Sequence, residues 1–177
     1  DDLLTAPQRF FEEARLFELF SYDRCFDPAP GNIENTRRWM KFTTALTRYE
    51  SAPCIARHDF SRYCRLLDVG GNSGEFALSL CRRHPQLQVS VLDLPLVCEI
   101  GVLHVAGQAE ANRIDFIKSS GFGYPFPAGQ DAVTFKSMLH DWPDLEAGEF
   151  ITQAYAALNQ GGTLLIFERC PLDIGTE

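Results

Sequence analysis

The stretch Leu66-Leu67-Asp68-Val69-Gly70-Gly71-Asn72-Ser73-Gly74 sets an apolar run, an acid and three glycines ahead of an amphipathic segment. Small residues at such a turn let a ligand approach the backbone, so a nucleotide-like ligand is the first reading; a plain tight turn between strand and helix is the other. Asp93 follows 19 residues after Gly74, at the end of the next apolar run. A carboxylate there can accept hydrogen bonds from two ribose hydroxyls, and the two features together point to an adenosine-containing cofactor. Nicotinamide and S-adenosylmethionine folds share this turn and this acid. The pattern G-G-x-x-G departs from G-x-G-x-x-G, and Asp68, two residues ahead of the first glycine, suits a cofactor that carries an ammonium group. That favours S-adenosylmethionine. Asp68 also reads as a helix-capping or loop-bracing carboxylate.

A second constellation lies in Lys136-Ser137-Met138-Leu139-His140-Asp141-Trp142-Pro143-Asp144, directly after an apolar run. His140 is a candidate general base, because an imidazole with an unperturbed pKa near 6.5 is mostly neutral at pH 7 and can take a proton from a hydroxyl. Its bland alternative is a loop histidine packed on Trp142. Glu168 ends the last apolar run and would sit beside this loop if the two runs pair as strands, placed to orient or hold an imidazolium. An edge charge facing solvent is its alternative. His58, His84 and His104 read as structural or surface residues. Phe122, Tyr124 and Phe126 fall in a Gly/Pro-rich loop, placed to cover a planar ring such as adenine.

These residues need a scaffold, and the hydrophobic spacing supplies one. Strands are expected at Arg65 to Val69, Leu87 to Leu92, Arg113 to Ile117, Asp131 to Lys136 and Thr163 to Phe167. Helices are expected from Gly74 to about His84, from Pro95 to about Gly107 and from Leu145 to Leu158. Interleaved in this order, they predict an α/β fold with a doubly wound, mostly parallel sheet. Ahead of them, Phe10, Ala14, Phe17 and Phe20, and again Trp39, Thr43, Leu46 and Tyr49, repeat at helical spacing, with Pro28-Ala29-Pro30-Gly31 as a breaker between.

The chain has 177 residues, a net charge of −8 and 45% hydrophobic residues, ordinary values for a domain with one core. No apolar run approaches the roughly 18 residues of a bilayer-spanning helix, so no membrane partner is expected. The opening DDLLTAPQRFF has neither a basic nor an apolar leader region, which makes a cytoplasmic location the default. Six scattered cysteines without a C-x-x-C pair or a Cys/His cluster read as reduced thiols, and no metal site is expected. The acidic balance, with no Lys/Arg run longer than two, disfavours nucleic acid as a partner.

Taken together, LLDVGGNSG, VLDLPLV, PFPAGQDAVTFKSMLHDWPD and LNQGGTLLIFE resemble the class I S-adenosylmethionine-dependent O-methyltransferases of the plant caffeate/hydroxyindole type and their bacterial natural-product relatives. The resemblance covers about Phe60 to Glu168 and rests most on the D-L-P and L-H-D-W segments. It implies a Rossmann-like methyltransferase fold over residues 61–177 and a helical segment over residues 1–60 that links to an N-terminal dimerisation domain, with the chain apparently truncated at both ends. Position by position, it implies that Gly70, Gly71 and Gly74 pass under the methionine and ribose parts of the cofactor. Asp93 then binds the ribose hydroxyls, Leu94 lies beside the adenine and Lys136 contacts the cofactor. His140 deprotonates the acceptor hydroxyl with Glu168 flanking it. Ser120 and Phe122 fall on the adenine side, in a segment one aromatic short of the family pattern. The implied reaction moves a methyl group from S-adenosylmethionine to a hydroxyl of a small, aromatic metabolite and leaves S-adenosylhomocysteine. A homodimer is implied for the full-length protein. A cofactor-binding homologue that does not methylate is the alternative.

Overall fold

A computed structural model describes residues 21–121 and 124–169. The helix expected around Phe10 to Phe20, and Phe122, lie outside the described residues.

Five strands form one parallel sheet in the order β3-β2-β1-β4-β5, with β1 Arg65–Val69, β2 Gln88–Asp93, β3 Ile114–Lys118, β4 Gln130–Lys136 and β5 Leu158–Phe167. The chain steps outward from β1 to β3, then returns across it to place β4 on the other side. This reversal opens a crevice at the carboxyl ends of β1 and β4, the place where ligands of doubly wound sheets bind. All five expected strands form, with ends shifted by about a residue, except β5. There the expected break at Gly161-Gly162 lies inside the strand, because the register jumps from Gln130↔Leu158 to Ala132↔Thr163 and the extra residues bulge out.

Both faces of the sheet are covered, which is why its strands read as near-continuous apolar runs. Leu66, Val89, Val91 and Ala132 pack on one face with Phe76, Leu80 and Cys81 of α2 (Glu75–Arg83). Leu67, Val69, Val133 and Phe135 pack on the other with Phe150 and Ala154 of α4 (Asp144–Ala157). Helix α3 (Pro95–Val105) begins with a proline, whose missing N–H is harmless in a first helical turn.

Helix α1 (Pro30–Ala56) is longer than the breaker suggested, since Pro30 is its first residue rather than part of a gap. Its inner face buries Thr36, Trp39, Met40, Thr44 and Ile55 at intervals of three, four and multiples thereof. Two hydroxyls tie it to the glycine turn: Thr43 Oγ1 donates to Asn72 Oδ1 at 3.1 Å and Thr44 Oγ1 to Ser73 Oγ at 2.7 Å. No helix among the described residues is long and apolar enough to cross a membrane.

Candidate functional site

A cavity of about 490 Å³ opens at the carboxyl ends of β1, β2 and β4 and takes in both constellations expected from the sequence. Its floor is the glycine turn. Gly70 and Gly74 have φ of +68° and +77°, a left-handed backbone that suits glycine. Gly70 is also pinned by contact, because a Cβ there would meet Met138 Cγ at 2.6 Å. The turn is closed by Gly70 N–H donating to Leu92 O at 2.8 Å.

Asp93 ends β2 at the rim of this floor. The N–H groups of Asn72 and Leu94 each donate to one of its carboxylate oxygens at 2.8 Å, which fixes its plane toward the cavity that Asp93 and Leu94 both line. Burial pushes its carboxyl up to about 6, against those two hydrogen bonds. Asp68 lies deeper and is fully buried. Its Oδ1 accepts from Thr134 Oγ1 at 2.7 Å, whereas Oδ2 is buried without a partner among the described residues and faces Gly71, where a Cβ would stand 2.5 Å from it. Burial pushes this carboxyl up to about 6 as well, with the Thr134 bond and the Lys136 charge opposing and Asp93 adding to the rise. Asp68 caps no helix; its orphan oxygen asks for a donor from a ligand.

On the opposite wall, β4 ends in Lys136, and Ser137 just beyond it has φ +51°, a strained conformation for a non-glycine residue that turns the chain into the His140 loop. Glu168, just beyond β5, organises that loop. Its Oε1 accepts the N–H groups of Met138 and Leu139 at 3.0 Å each, and its Oε2 meets His140 Nδ1 at 2.7 Å. An ionised carboxylate only accepts, so Nδ1 carries the proton and Nε2 keeps its lone pair in the neutral ring. Asp141 Oδ1 stands 3.4 Å from Nε2, and Asp141 Oδ2 accepts from Tyr22 OH at 2.5 Å. Tyr22 in turn stacks on Trp142 with ring centroids 6.2 Å apart, and its phenol is held far above its usual range by burial and by Asp141.

Most residues singled out in the sequence therefore meet in one place. Gly70, Gly71, Asp68, Asp93, Leu94, Ser120, Lys136 and His140 line the cavity, and Glu168 stands behind His140. Gly74 sits under the turn against Phe116. Lys136 is engaged by the protein itself, its Nζ 2.9 Å from Glu50 Oε2 and donating to Thr47 Oγ1 at 3.4 Å. The aromatic cover read into the Gly/Pro loop does not form from its other two members. Phe126 is buried and stacks on Phe150 at 6.3 Å, and Tyr124 is 74% exposed and off the cavity wall. Apolar packing under α4 outcompetes a ligand-covering position for Phe126. His104 gains an acidic partner that sequence spacing concealed, Glu75 at 2.6 Å, and His58 meets Tyr63 OH at 2.7 Å; neither lines the cavity.

Sequence spacing missed the wall supplied by α1. Trp39, Phe42, Thr43, Leu46, Thr47 and Glu50 recur at three- and four-residue intervals and all line the cavity. The stripe is visible in the sequence as an amphipathic face; that it faces a cavity rather than core depends on how α1 crosses the sheet end. Arg169 was equally silent in the sequence.

Residues 6–176 match the model of a family described as the O-methyltransferase domain. Over 145 residues, 80% of this chain, it is 39% identical to a 3-hydroxy-5-methyl-1-naphthoate 3-O-methyltransferase from Streptomyces sahachiroi, and it spans 42% of that relative's length. A solved S-adenosylmethionine-dependent methyltransferase, SibL, superposes with a TM-score of 0.70 at 32% identity, over 86% of this chain and 44% of that one. The fold also matches the O-methyltransferase NcsB1 from neocarzinostatin biosynthesis, solved with S-adenosylmethionine and 2-hydroxy-5-methyl naphthoic acid, with a TM-score of 0.72 at 24% identity, over 77% of this chain and 42% of that one. The match runs through the glycine turn and the histidine loop of this chain, and the chain belongs to the O-methyltransferase domain family.

Proposed function

We propose that this chain carries the cofactor site and the base of an S-adenosylmethionine-dependent O-methyltransferase that acts on a hydroxyl of a small aromatic metabolite. The observation that carries the reading is His140, held at Nδ1 by Glu168 on the wall of the cavity whose floor is the Gly70–Gly74 turn and Asp93. The residues fit the cofactor. Asp93 would hold the ribose hydroxyls, the orphan Oδ2 of Asp68 would take the ammonium group, and Gly70 and Gly71 on the cavity wall leave room for the methionine and ribose, while Gly74 lets the turn pack on Phe116 beneath them. Leu94 and Ser120 would flank the adenine, and Lys136 keeps a donor for the cofactor beyond its bonds to Glu50 and Thr47. On this reading residues 61–177 are the cofactor-binding unit, and α1 from the segment before it walls the acceptor side; the full-length protein is a homodimer in the cytoplasm.

When bound, S-adenosylmethionine supplies a methyl group made electrophilic by the positive sulfur. The protein's part is to place a hydroxyl and take its proton. A phenol near pKa 10 and an imidazole near 6.5 differ by about 3.5 units, so proton transfer in advance would cost roughly 5 kcal/mol. His140 Nε2 accepts that proton as the oxygen is methylated, and Glu168 at Nδ1 with Asp141 beside Nε2 favours the imidazolium that results. Both sides of the ring then face a carboxylate.

Titration of S-adenosylhomocysteine into the purified protein tests the cofactor half. Micromolar binding is expected, weakened about tenfold or more by Asp93→Ala, with no competition from NAD. A folded protein that does not bind it, or that binds NAD in its place, sinks the reading. For the base, His140→Gln should lower turnover of a phenolic acceptor by about 10²-fold or more while leaving cofactor affinity unchanged; undiminished turnover removes the assignment and leaves a homologue that binds the cofactor without using this histidine.

A further inference from the structure

Resting on that function, we infer that Arg169 forms a carboxylate subsite, so that the acceptor is an aromatic hydroxy acid whose hydroxyl faces His140 while its carboxylate faces Arg169.

The argument begins with charge. Among the described lining residues, seven have acidic or basic side chains: Glu50, Asp68, Asp93, Lys136, His140, Asp141 and Arg169. Four are acids, and Lys136 and Arg169 both stand against one of them, Glu50. Lys136 Nζ meets Glu50 Oε2 at 2.9 Å, and Arg169 Nε and Nη2 meet Glu50 Oε1 at 2.7 and 2.6 Å. Burial alone would push the Glu50 carboxyl up, but these two cations outweigh it and hold the acid below its ordinary range. Two positive charges share one negative charge, which leaves the cluster a surplus of one.

The surplus belongs to Arg169. The Lys136 side chain is 7% exposed, and two of its three ammonium hydrogens go to Glu50 and Thr47, which leaves one for the cofactor and none for a forked pair. The Arg169 side chain is 57% exposed, and among the described residues only its Nε and Nη2 are engaged, both on a single oxygen, so Nη1 and the second Nη2 hydrogen remain for a ligand. A guanidinium edge with two such donors matches a carboxylate in a fork geometry. Elsewhere on the wall a carboxylate would face Asp68, Asp93 or Asp141 and be repelled. Position adds a second constraint. Arg169 directly follows Glu168, whose carboxylate is on His140 Nδ1, so the cation and the base are held by adjacent residues of one strand end. Phe42, Leu46 and Trp142 line the same cavity and offer apolar surface for a ring.

A rival reading makes the Lys136–Glu50–Arg169 cluster a structural clamp between α1 and the sheet end, and a second gives its charge to the cofactor's own carboxylate. One experiment separates the three. Hydroxynaphthoates and the naphthols that lack the carboxylate are titrated into protein saturated with S-adenosylhomocysteine, and the pair is repeated with Arg169→Met and Glu50→Gln. The subsite predicts an acid preference of about tenfold, lost in Arg169→Met and enlarged in Glu50→Gln, because removing the internal anion frees both cations. Affinity for S-adenosylhomocysteine is the same in Arg169→Met as in the parent. Equal binding of acid and naphthol, a preference that survives Arg169→Met, or a loss in both variants alike overturns the subsite. So does a loss of S-adenosylhomocysteine affinity in Arg169→Met, which would give the cation to the cofactor. Failure of the parent protein to bind S-adenosylhomocysteine at all is a different result and strikes the methyltransferase reading itself.

Discussion

Two carboxylates on the cavity floor are held in environments that disfavour their charge, and this has a measurable consequence for ligand binding. Burial pushes Asp93 and Asp68 up to about 6 from an ordinary 3.8. A ligand that donates hydroxyl and ammonium hydrogens to them selects the ionised forms. Affinity for S-adenosylhomocysteine should therefore be highest above about pH 7 and weaken as pH falls through about 6, approaching tenfold per unit per group. The sign for the unliganded fold is the reverse: a raised carboxyl pKa contributes stability below 3.8 that is lost as pH rises through about 6, so the cofactor stabilises most where the bare site is least comfortable. Calorimetric titration from pH 5 to 8 checks this, and Asp93→Asn should flatten part of the profile. A flat profile for the parent protein would contradict it.

At the scale of elements, the strands and helices do little beyond delivering these residues, and the tolerance of each element follows from what it touches. Two glycines on helices make opposite cases. Gly148 lies exposed in α4 with nothing within 4 Å of where a Cβ would go. Gly148→Ala should raise stability by about 0.5–1 kcal/mol, because glycine in a helix interior surrenders more backbone entropy on folding than alanine. Gly101 lies buried in α3 under the Phe116 ring, and an added Cβ would also stand 3.2 Å from Asn72 O in the glycine turn. Gly101→Ala should lower stability by about 1–3 kcal/mol and loosen cofactor binding, since the strain falls on the turn. Thermal melts of the two variants beside the parent protein read both signs at once. Equal shifts in the same direction would mean that helix propensity, not packing against the turn, dominates at Gly101.

Across the whole molecule, three helices are tied together behind the site by a single acid. Glu75 opens α2 with its side chain 6% exposed, 3.1 Å from Arg48 of α1 and 2.6 Å from His104 of α3. Burial would raise its carboxyl, and the contacts with Arg48 and the His104 ring more than reverse that, leaving it below its ordinary 4.5. A depressed carboxyl contributes stability above its unfolded pKa and loses it as pH falls through the folded one. Glu75→Gln should cost about 1–3 kcal/mol near neutral pH, discounted because Arg48 is 62% exposed. The gap between variant and parent should close in acid, below about 4.5; a gap independent of pH would assign the loss to packing alone.

The sequence by itself determined the order of the elements and the two chemical segments. Period-two and period-three-or-four spacing, glycines where the turn needs a left-handed backbone, and Pro95 at a helix start are local requirements, and local requirements are written in adjacent residues. Asp93 and His140 were legible for the same reason: each ends or follows a strand, and in a parallel sheet every strand end on one side faces the same crevice. The tertiary structure alone decided who stands opposite whom. Glu168 reaches His140 because β4 and β5 pair in step from Ala132↔Thr163 to Lys136↔Phe167 after the bulge, and Glu50 reaches Lys136 and Arg169 because α1 crosses the sheet end with that face inward. The same packing drew Phe126 into the core and left Tyr124 outside. Such pairings join residues 28 and 119 positions apart, where chain spacing carries no signal and only the burial of apolar faces sets the geometry.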